Sequence, residues 1–394
     1  MATPAPLQEP RDFSLVLEGP LHRLLRRAHL SGSAPQLLSS LAAISILLCW
    51  VPLAILSLVQ AHLLGGIKLS FARDIEAHVR FLVALPLLIL TETLVRQRIR
   101  EVARNFVERK VVIPEELPKF YSALNFGARI HNSLVTEIVL LVFVFTGGAW
   151  VWRHQIATDV ASWYASYQGG HVQLTMAGYW LAFVSVPVFQ FILLRWYLQF
   201  LIYFWFLFRV SRLKLYLPAL HPDRPAGLAF VAQSTVAFAP LLFAQSAVFA
   251  AQIADRILYN GESLFASEMT IVGLVVFPVA AVLAPLLSFT VQLIRAKRQG
   301  IEKYGAFASS YVMDFSEKWL EGRANDEAAL ASGDIQSLAD LGNSFAVARA
   351  MRPVPIGIDD IVLLLVVTII PFVPLLLTIM PVDKLFEQAI KLVF

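Results

Sequence analysis

Apolar residues in this chain run in long blocks separated by short charged segments. Crossing ~30 Å of hydrocarbon takes about 20 helical residues, and seven blocks approach or exceed that length: Leu37 to Leu58, Phe81 to Val95, Leu134 to Trp152, Ala177 to Phe208, Leu228 to Ile253, Thr270 to Ile294 and Ile361 to Met380. The pattern predicts an all-α, polytopic membrane helix bundle of about seven transmembrane helices. The second block is the shortest, 15 residues or roughly 22 Å at 1.5 Å per residue, and is expected to span only if Arg80 and Arg96 snorkel to opposite interfaces.

The positions of the basic residues orient these spans. With the N-terminus inside, the connecting segments hold 24 Lys and Arg inside against 7 outside, and Arg195 lies within the fourth span. Positive charge is retained on the cytoplasmic side, so the expectation is N-terminus in and C-terminus out. The resulting domain plan has a cytoplasmic amphipathic segment at 1–36 and six spans within 37–294. A helical extension at 96–130 and a loop at 209–226 lie among these spans on the cytoplasmic side. A cytoplasmic helical segment follows at 295–358, then a seventh transmembrane helix at 359–381 and a short periplasmic amphipathic tail at 382–394. Helices are expected from Arg96 to a stop before Pro114, from Lys297 to Leu320, and from Asp334 to Met351 with a cap near Ser332 and Asp334. Together they would form a small cytoplasmic layer. The LHRLLRRAHL stretch suits a surface helix near anionic lipid better than a cleaved signal peptide, because the apolar block after it is too long and lacks a clear cleavage site.

Composition agrees, with 58% hydrophobic and 15% charged residues, a profile outside that of soluble domains. Cys49 is the sole cysteine, which excludes a disulfide within the chain. There is no GxxxxGK[ST], strand-framed GxGxxG, HExxH or GxSxG, and the eight histidines are scattered. The expectation is therefore no catalytic residue, no cofactor and no metal site. The lipid bilayer, a further copy of the chain and a cytoplasmic protein are the candidate partners, and nucleic acid is not among them.

The loop LHPDRPAGL, residues 220 to 228, contains His221 and Asp223. Its His-Pro-Asp resembles the loop of a co-chaperone J-domain locally, but both flanks enter bilayer-length apolar helices instead of a soluble helical domain. Pro222 and Pro225 prevent continuation of the preceding helix, and Asp223 is placed to cap the next one with Pro225 in its first turn. The alternative is a titrating role for His221 with Asp223 at a cytoplasmic mouth. The aromatic helix with its central arginine (LLRWYLQFLIYFWFLFRVSRL), the following HPDRPAGL and the later DIQSLADLGNSF are similar to an uncharacterised family of multi-pass inner-membrane proteins of bacteria. The resemblance covers about the C-terminal half and implies the membrane; it carries no activity or cofactor.

Ionisable groups in hydrocarbon are costly and mark packing or functional sites. Glu92, Glu137 and Arg195 qualify. Glu92 also reaches Arg96 at i+4, which leaves Glu137 as the first choice of partner for Arg195 and Glu92 as the next. Phe191, Arg195 and Gln199 share one helical stripe, so ring and amide contacts are expected around the guanidinium. Ser234, Gln245 and Gln252 fall within about 20° of one another at 100° per residue. They form either a helix-packing seam or a hydrated lane ending near Asp255. Prolines interrupt six spans, and each frees a carbonyl that needs a partner on another helix or in a watery cavity.

These features predict a channel or transporter for an ion or small solute, with a scaffold or sensor acting through the cytoplasmic helices as the alternative and an intramembrane enzyme as the third reading. A reporter fused after Phe394 should report the periplasm, and one inserted near Asn325 the cytoplasm. Finding both on one side would remove the seven-span arrangement.

Overall fold

A computed structural model describes residues 34–64, 70–155, 163–168, 171–321 and 333–378. The N-terminal segment expected at 1–36 and the tail at 382–394 lie almost wholly outside these residues. The fold is all-α, with six helices long and apolar enough to cross a membrane: Leu38–Gln60, Ile75–Glu108, Met176–Val210, Ala229–Asn260, Leu264–Leu320 and Ile358–Thr378. A seventh crossing arises if the pair Pro114–His131 and Leu134–Gly147, bent by 50°, is one span. Large apolar side chains such as Val139, Phe143, Phe277, Val366 and Leu377 stand exposed on these helices. A face of this kind suits lipid, which is as apolar as the side chains it meets.

Proline decides where the long helices stop being regular. The first span is α1 (Ala34–Cys49) and α2 (Val51–Leu64), with the break at Trp50, two residues before Pro52. Pro52 has no N–H for the Leu48 carbonyl four residues back. The Leu48 carbonyl instead accepts the Trp180 indole N–H at 3.0 Å, and the next one, Cys49, accepts the Ser185 hydroxyl at 2.8 Å. The second span comprises α3 (Ile75–His78), a π-helical turn Val79–Ala84 and α4 (Leu85–Glu108). Leu85, immediately before Pro86, donates five residues back to Arg80, and the wider turn makes room for the proline ring. The same solution recurs before Pro187, where Val186 donates to Leu181.

The second span is therefore far longer than its 15-residue apolar block. The continuous helix Ile75–Glu108 has 34 residues, about 51 Å at 1.5 Å per residue. Arg80 pairs with Glu76 and Arg96 with Glu92, each one turn away along the same helix, so these charges are met within the bundle and the helix does not rely on snorkelling alone. After Glu108 the chain turns at Lys110 in the left-handed region (φ 54°), and α5 (Leu117–His131) and α6 (Leu134–Gln155) follow. The charged extension thus ends before Pro114, as the sequence predicts.

A two-stranded antiparallel hairpin, Ala165–Gln168 with His171–Leu174, was not foreseen. It precedes the third long helix, built from α7 (Met176–Trp180), a π turn Leu181–Ser185 and α8 (Val186–Val210). A β-carbon on Gly178 would sit 2.0 Å from the Tyr164 carbonyl oxygen, so only glycine lets this helix start against the hairpin. Next come α9 (Ala229–Thr235) and α10 (Ala239–Asn260), joined by a 3₁₀ turn before Pro240. The α9–α10 helix is the most enclosed of the spans. It packs on α3, on the π turn Val79–Ala84 and on α4, and also on α11 (Glu268–Leu283) and α14 (Ile358–Ile369).

Beyond a 3₁₀ segment at Pro285, α12 (Thr290–Phe315) continues through a π turn to Leu320, the extension expected from Lys297. It packs along α13 (Asp334–Arg349), whose N-cap residue is Gly333 with no side-chain cap. Asp334 instead anchors the pair: its carboxylate takes Lys318 Nζ at 2.6 Å and the Trp319 indole at 2.9 Å, and its carbonyl accepts Tyr311 at 3.1 Å. The Lys318 bond, then the Trp319 bond, holds this carboxyl below the usual aspartate range.

The Pro52 site yields a test. Trp180→Phe and Ser185→Ala each remove a donor from a carbonyl of the first span and should lower stability in detergent by about 1 kcal/mol. In a Pro52→Ala background the new N–H can reach Leu48, so Trp180→Phe should cost less. Equal costs in the two backgrounds would show that Trp180 does not serve the carbonyl freed by the proline.

Candidate functional site

Arg195 lies near the middle of the helix Met176–Val210 and is buried. Its Nη2 is 3.1 Å from Glu92 Oε1, on the neighbouring α4. The same oxygen accepts Arg96 Nη2 from one turn further along α4. The pair first expected with Glu137 is therefore made with Glu92. Glu137 belongs to the first turn of α6, a different helix. Helical phase explains the choice: the residue after Arg195, Trp196, donates its indole N–H to the Leu88 carbonyl at 3.1 Å, one turn before Glu92. That bond fixes the register of α8 on α4 and brings the guanidinium to the carboxylate. One carboxylate thus serves two guanidiniums.

Gln199, one turn after Arg195, is also buried. It lines a cavity of about 30 Å³ with His131 and Tyr203, walled by Ile99, Leu124, Ile202 and Phe206. The cavity lies between α4, α5 and α8. Gln199 Nε2 and His131 Nε2 are buried, and neither has a hydrogen-bond partner among the described residues. His131 is the last residue of α5 and lies within electrostatic reach of Arg195, Arg96 and Glu92. Sequence reasoning set His131 aside as one of eight scattered histidines, because nothing in its local pattern shows that α5 ends against Arg195. Toward the basic end the cavity is backed by an aromatic cluster: Phe206 packs on Phe120 at 5.6 Å, and Phe120 on Phe106 at 6.0 Å.

The predicted polar lane on α9 and α10 is used for packing. Tyr203 hydrogen-bonds Ser234, whose own hydroxyl donates to the Val231 carbonyl at 2.5 Å, so the tyrosine is the donor between them. Gln245 donates to Tyr197, and Gln252 Nε2 donates to Glu76 Oε1 at 3.0 Å. Asp255 ends the lane by accepting the Ile75 and Glu76 amides at 3.2 and 2.9 Å, which caps α3 from another helix. Ser234 on α9 and Gln245, Gln252 and Asp255 on α10 therefore join this span to two neighbouring ones, the geometry of the packing alternative.

At the basic end, Asp223 accepts the Gly227 amide at 2.9 Å and the Ala229 amide at 3.1 Å, and His221 Nδ1 lies 2.7 Å from its Oδ1. Ala229 is the first residue of α9, so Asp223 does cap the next helix. Pro225 lies in the loop and not in the first helical turn as expected, because Arg224 (φ 70°), Ala226 (φ 55°) and Gly227 (φ 92°) occupy the left-handed region. The loop is held by Arg352 N–H to the Arg224 carbonyl at 3.0 Å. Nearby, Gln292 Nε2 bridges the Ser211 and Leu213 carbonyls at 2.6 and 2.8 Å.

No protein-family model matches the chain, and neither a curated protein nor a solved structure matches it.

Removing one member of a buried ion pair typically costs about 3 to 5 kcal/mol, because the other charge is left uncompensated. Here the two sides are unequal. Arg195→Leu leaves Glu92 with Arg96, whereas Glu92→Leu deprives both guanidiniums of their shared oxygen. Glu92→Leu should therefore lower the melting temperature in detergent more than Arg195→Leu, and the double variant should lose less than the sum. A larger loss for Arg195→Leu, or strictly additive losses, would contradict this arrangement.

Proposed function

We propose that the chain is a multi-pass protein of a bacterial inner membrane, with N-terminus in and C-terminus out, and that it is a channel or transporter for an ion or small solute. The observation that carries this reading is the charged cluster Arg96, Glu92 and Arg195 beside a cavity lined by His131 and Gln199, all within membrane-length helices. Buried charge is retained in hydrocarbon where it binds, relays or gates. The two π turns, before Pro86 and Pro187, supply irregular backbone in the two helices that carry Glu92 and Arg195. Interrupted helices of this kind accompany substrate sites in transporters.

The second reading, a scaffold or sensor, draws on α12 and α13. Phe307, Met313 and Leu320 stand exposed on the long helix Thr290–Phe315 and its π-turn extension, and exposed apolar side chains of this size suit a protein partner.

Purified protein in liposomes, assayed against a panel of inorganic ions and small solutes, separates the two. Transport predicts flux that falls at least tenfold in the folded Arg195→Leu/Glu92→Leu double variant and is unchanged in Asp340→Asn, on the exposed face of α13. Absence of flux for the whole panel, together with a stoichiometric partner that α12 and α13 retain, would replace transport with the scaffold.

A further inference from the structure

We infer that the cavity between α4, α5 and α8 binds one small monovalent anion, of halide or nitrate size, between the Gln199 amide and the His131 imidazole. This names a substrate class for the transport reading and rests on it for the ion's passage; the binding is argued from the cavity itself.

Three features select the ligand. The first is donor chemistry. The two polar atoms buried without a partner at the cavity are both nitrogens, Gln199 Nε2 and His131 Nε2. An amide NH₂ only donates, and the Nε2 of a histidine donates in one of its neutral tautomers and in the protonated form. The Tyr203 hydroxyl proton is committed to Ser234, and the other walls are apolar, including Ile99, Leu124 and Phe206. A cation would need several oxygen ligands, whereas an anion needs N–H groups and tolerates apolar walls.

The second is the field. Arg195, one turn before Gln199, shares the single Glu92 oxygen with Arg96. Two guanidiniums thus stand by this carboxylate, and His131 in the cavity wall lies within electrostatic reach of both.

The third is size. The cavity volume of about 30 Å³ is two or three times the roughly 10 to 15 Å³ that admits one water on the same measure. It takes a halide or a trigonal-planar oxyanion such as nitrate, and two donors do not meet the charge of a divalent ion.

The test reads binding and transport separately. The melting temperature of the full chain in detergent is followed as sodium gluconate is exchanged for sodium chloride, bromide or nitrate at constant ionic strength. The expected result is a saturable rise with each small anion. Gln199→Leu should weaken the apparent affinity at least tenfold. Gln199→Glu places a carboxylate where the ion would sit, so it should abolish the response while raising the melting temperature in gluconate relative to Gln199→Leu. Ala123→Leu, which fills the cavity from α5 without altering a polar group, should abolish it as well. A wild-type melting temperature that ignores the exchange overturns the proposal. So does a rise that is the same in wild type, Gln199→Glu and Ala123→Leu, since that would be a general salt effect. Saturable binding lost in these variants, with no chloride flux in liposomes, upholds the site and removes the transport reading. Chloride flux unaffected by Gln199→Glu upholds transport and removes this cavity from its path.

Discussion

A carbonyl in hydrocarbon has no water to fall back on, and Pro52, Pro86 and Pro187 show how this bundle meets that requirement. Helices of this length would be simple rods if they were regular. The prolines interrupt that regularity, and the interruptions are tolerated because other groups take up the hydrogen bonding. At Pro52 the substitutes are side chains on the facing helix, Trp180 and Ser185. At Pro86 and Pro187 the backbone supplies its own answer, by widening one turn. The first solution joins two spans, and the second meets the requirement within one helix.

The ends of the bundle obey the same accounting. Asp255 on α10 accepts the first amides of α3, and Asp223 accepts the first amide of α9 from six residues upstream. Each is a helix N-terminus whose unpaired donors would otherwise stay open. The carboxylates meet the positive end of the helix dipole at the same time. In the first case the cap comes from a different span, so it also sets the depth of α3 against α10. Gln252, one turn before Asp255, adds a bond to Glu76. A stripe that reads as a polar lane is thus occupied along its length by contacts that set helix register.

What the sequence reveals depends on whether the information is local. Block lengths, prolines, the stop before Pro114 and the cap at Asp223 all lie within a few residues of the feature they govern, and each is legible. The pairing of Arg195 is not local. Glu92 and Glu137 lie on different helices, and the choice between them rests on how α8 is rotated against α4, which the Trp196 bond to Leu88 decides. His131 illustrates the same limit. Its role depends on α5 ending beside α8, and no periodicity within α5 contains that fact. The hairpin at 165–174 is a different kind of omission. Gly169 and Gly170 are a local turn signal between residues of alternating character, but the apolar blocks on either side outweighed so short a pattern.

The charged cluster brings these arguments together. Burying two guanidiniums and one carboxylate costs desolvation that their mutual attraction does not obviously repay, and apolar side chains at Glu92 and Arg195 would pack the α4–α8 contact more simply. Trp196 already supplies a bond that fixes the two helices in register. The cluster is therefore more than the packing of α4 on α8 requires. It adjoins a cavity whose polar walls offer nitrogen and little else, and it faces α5, which is joined to α6 through the 50° bend. The proposed anion site thus lies where α4 and α8 meet this bent pair, at a break in the regular helix packing.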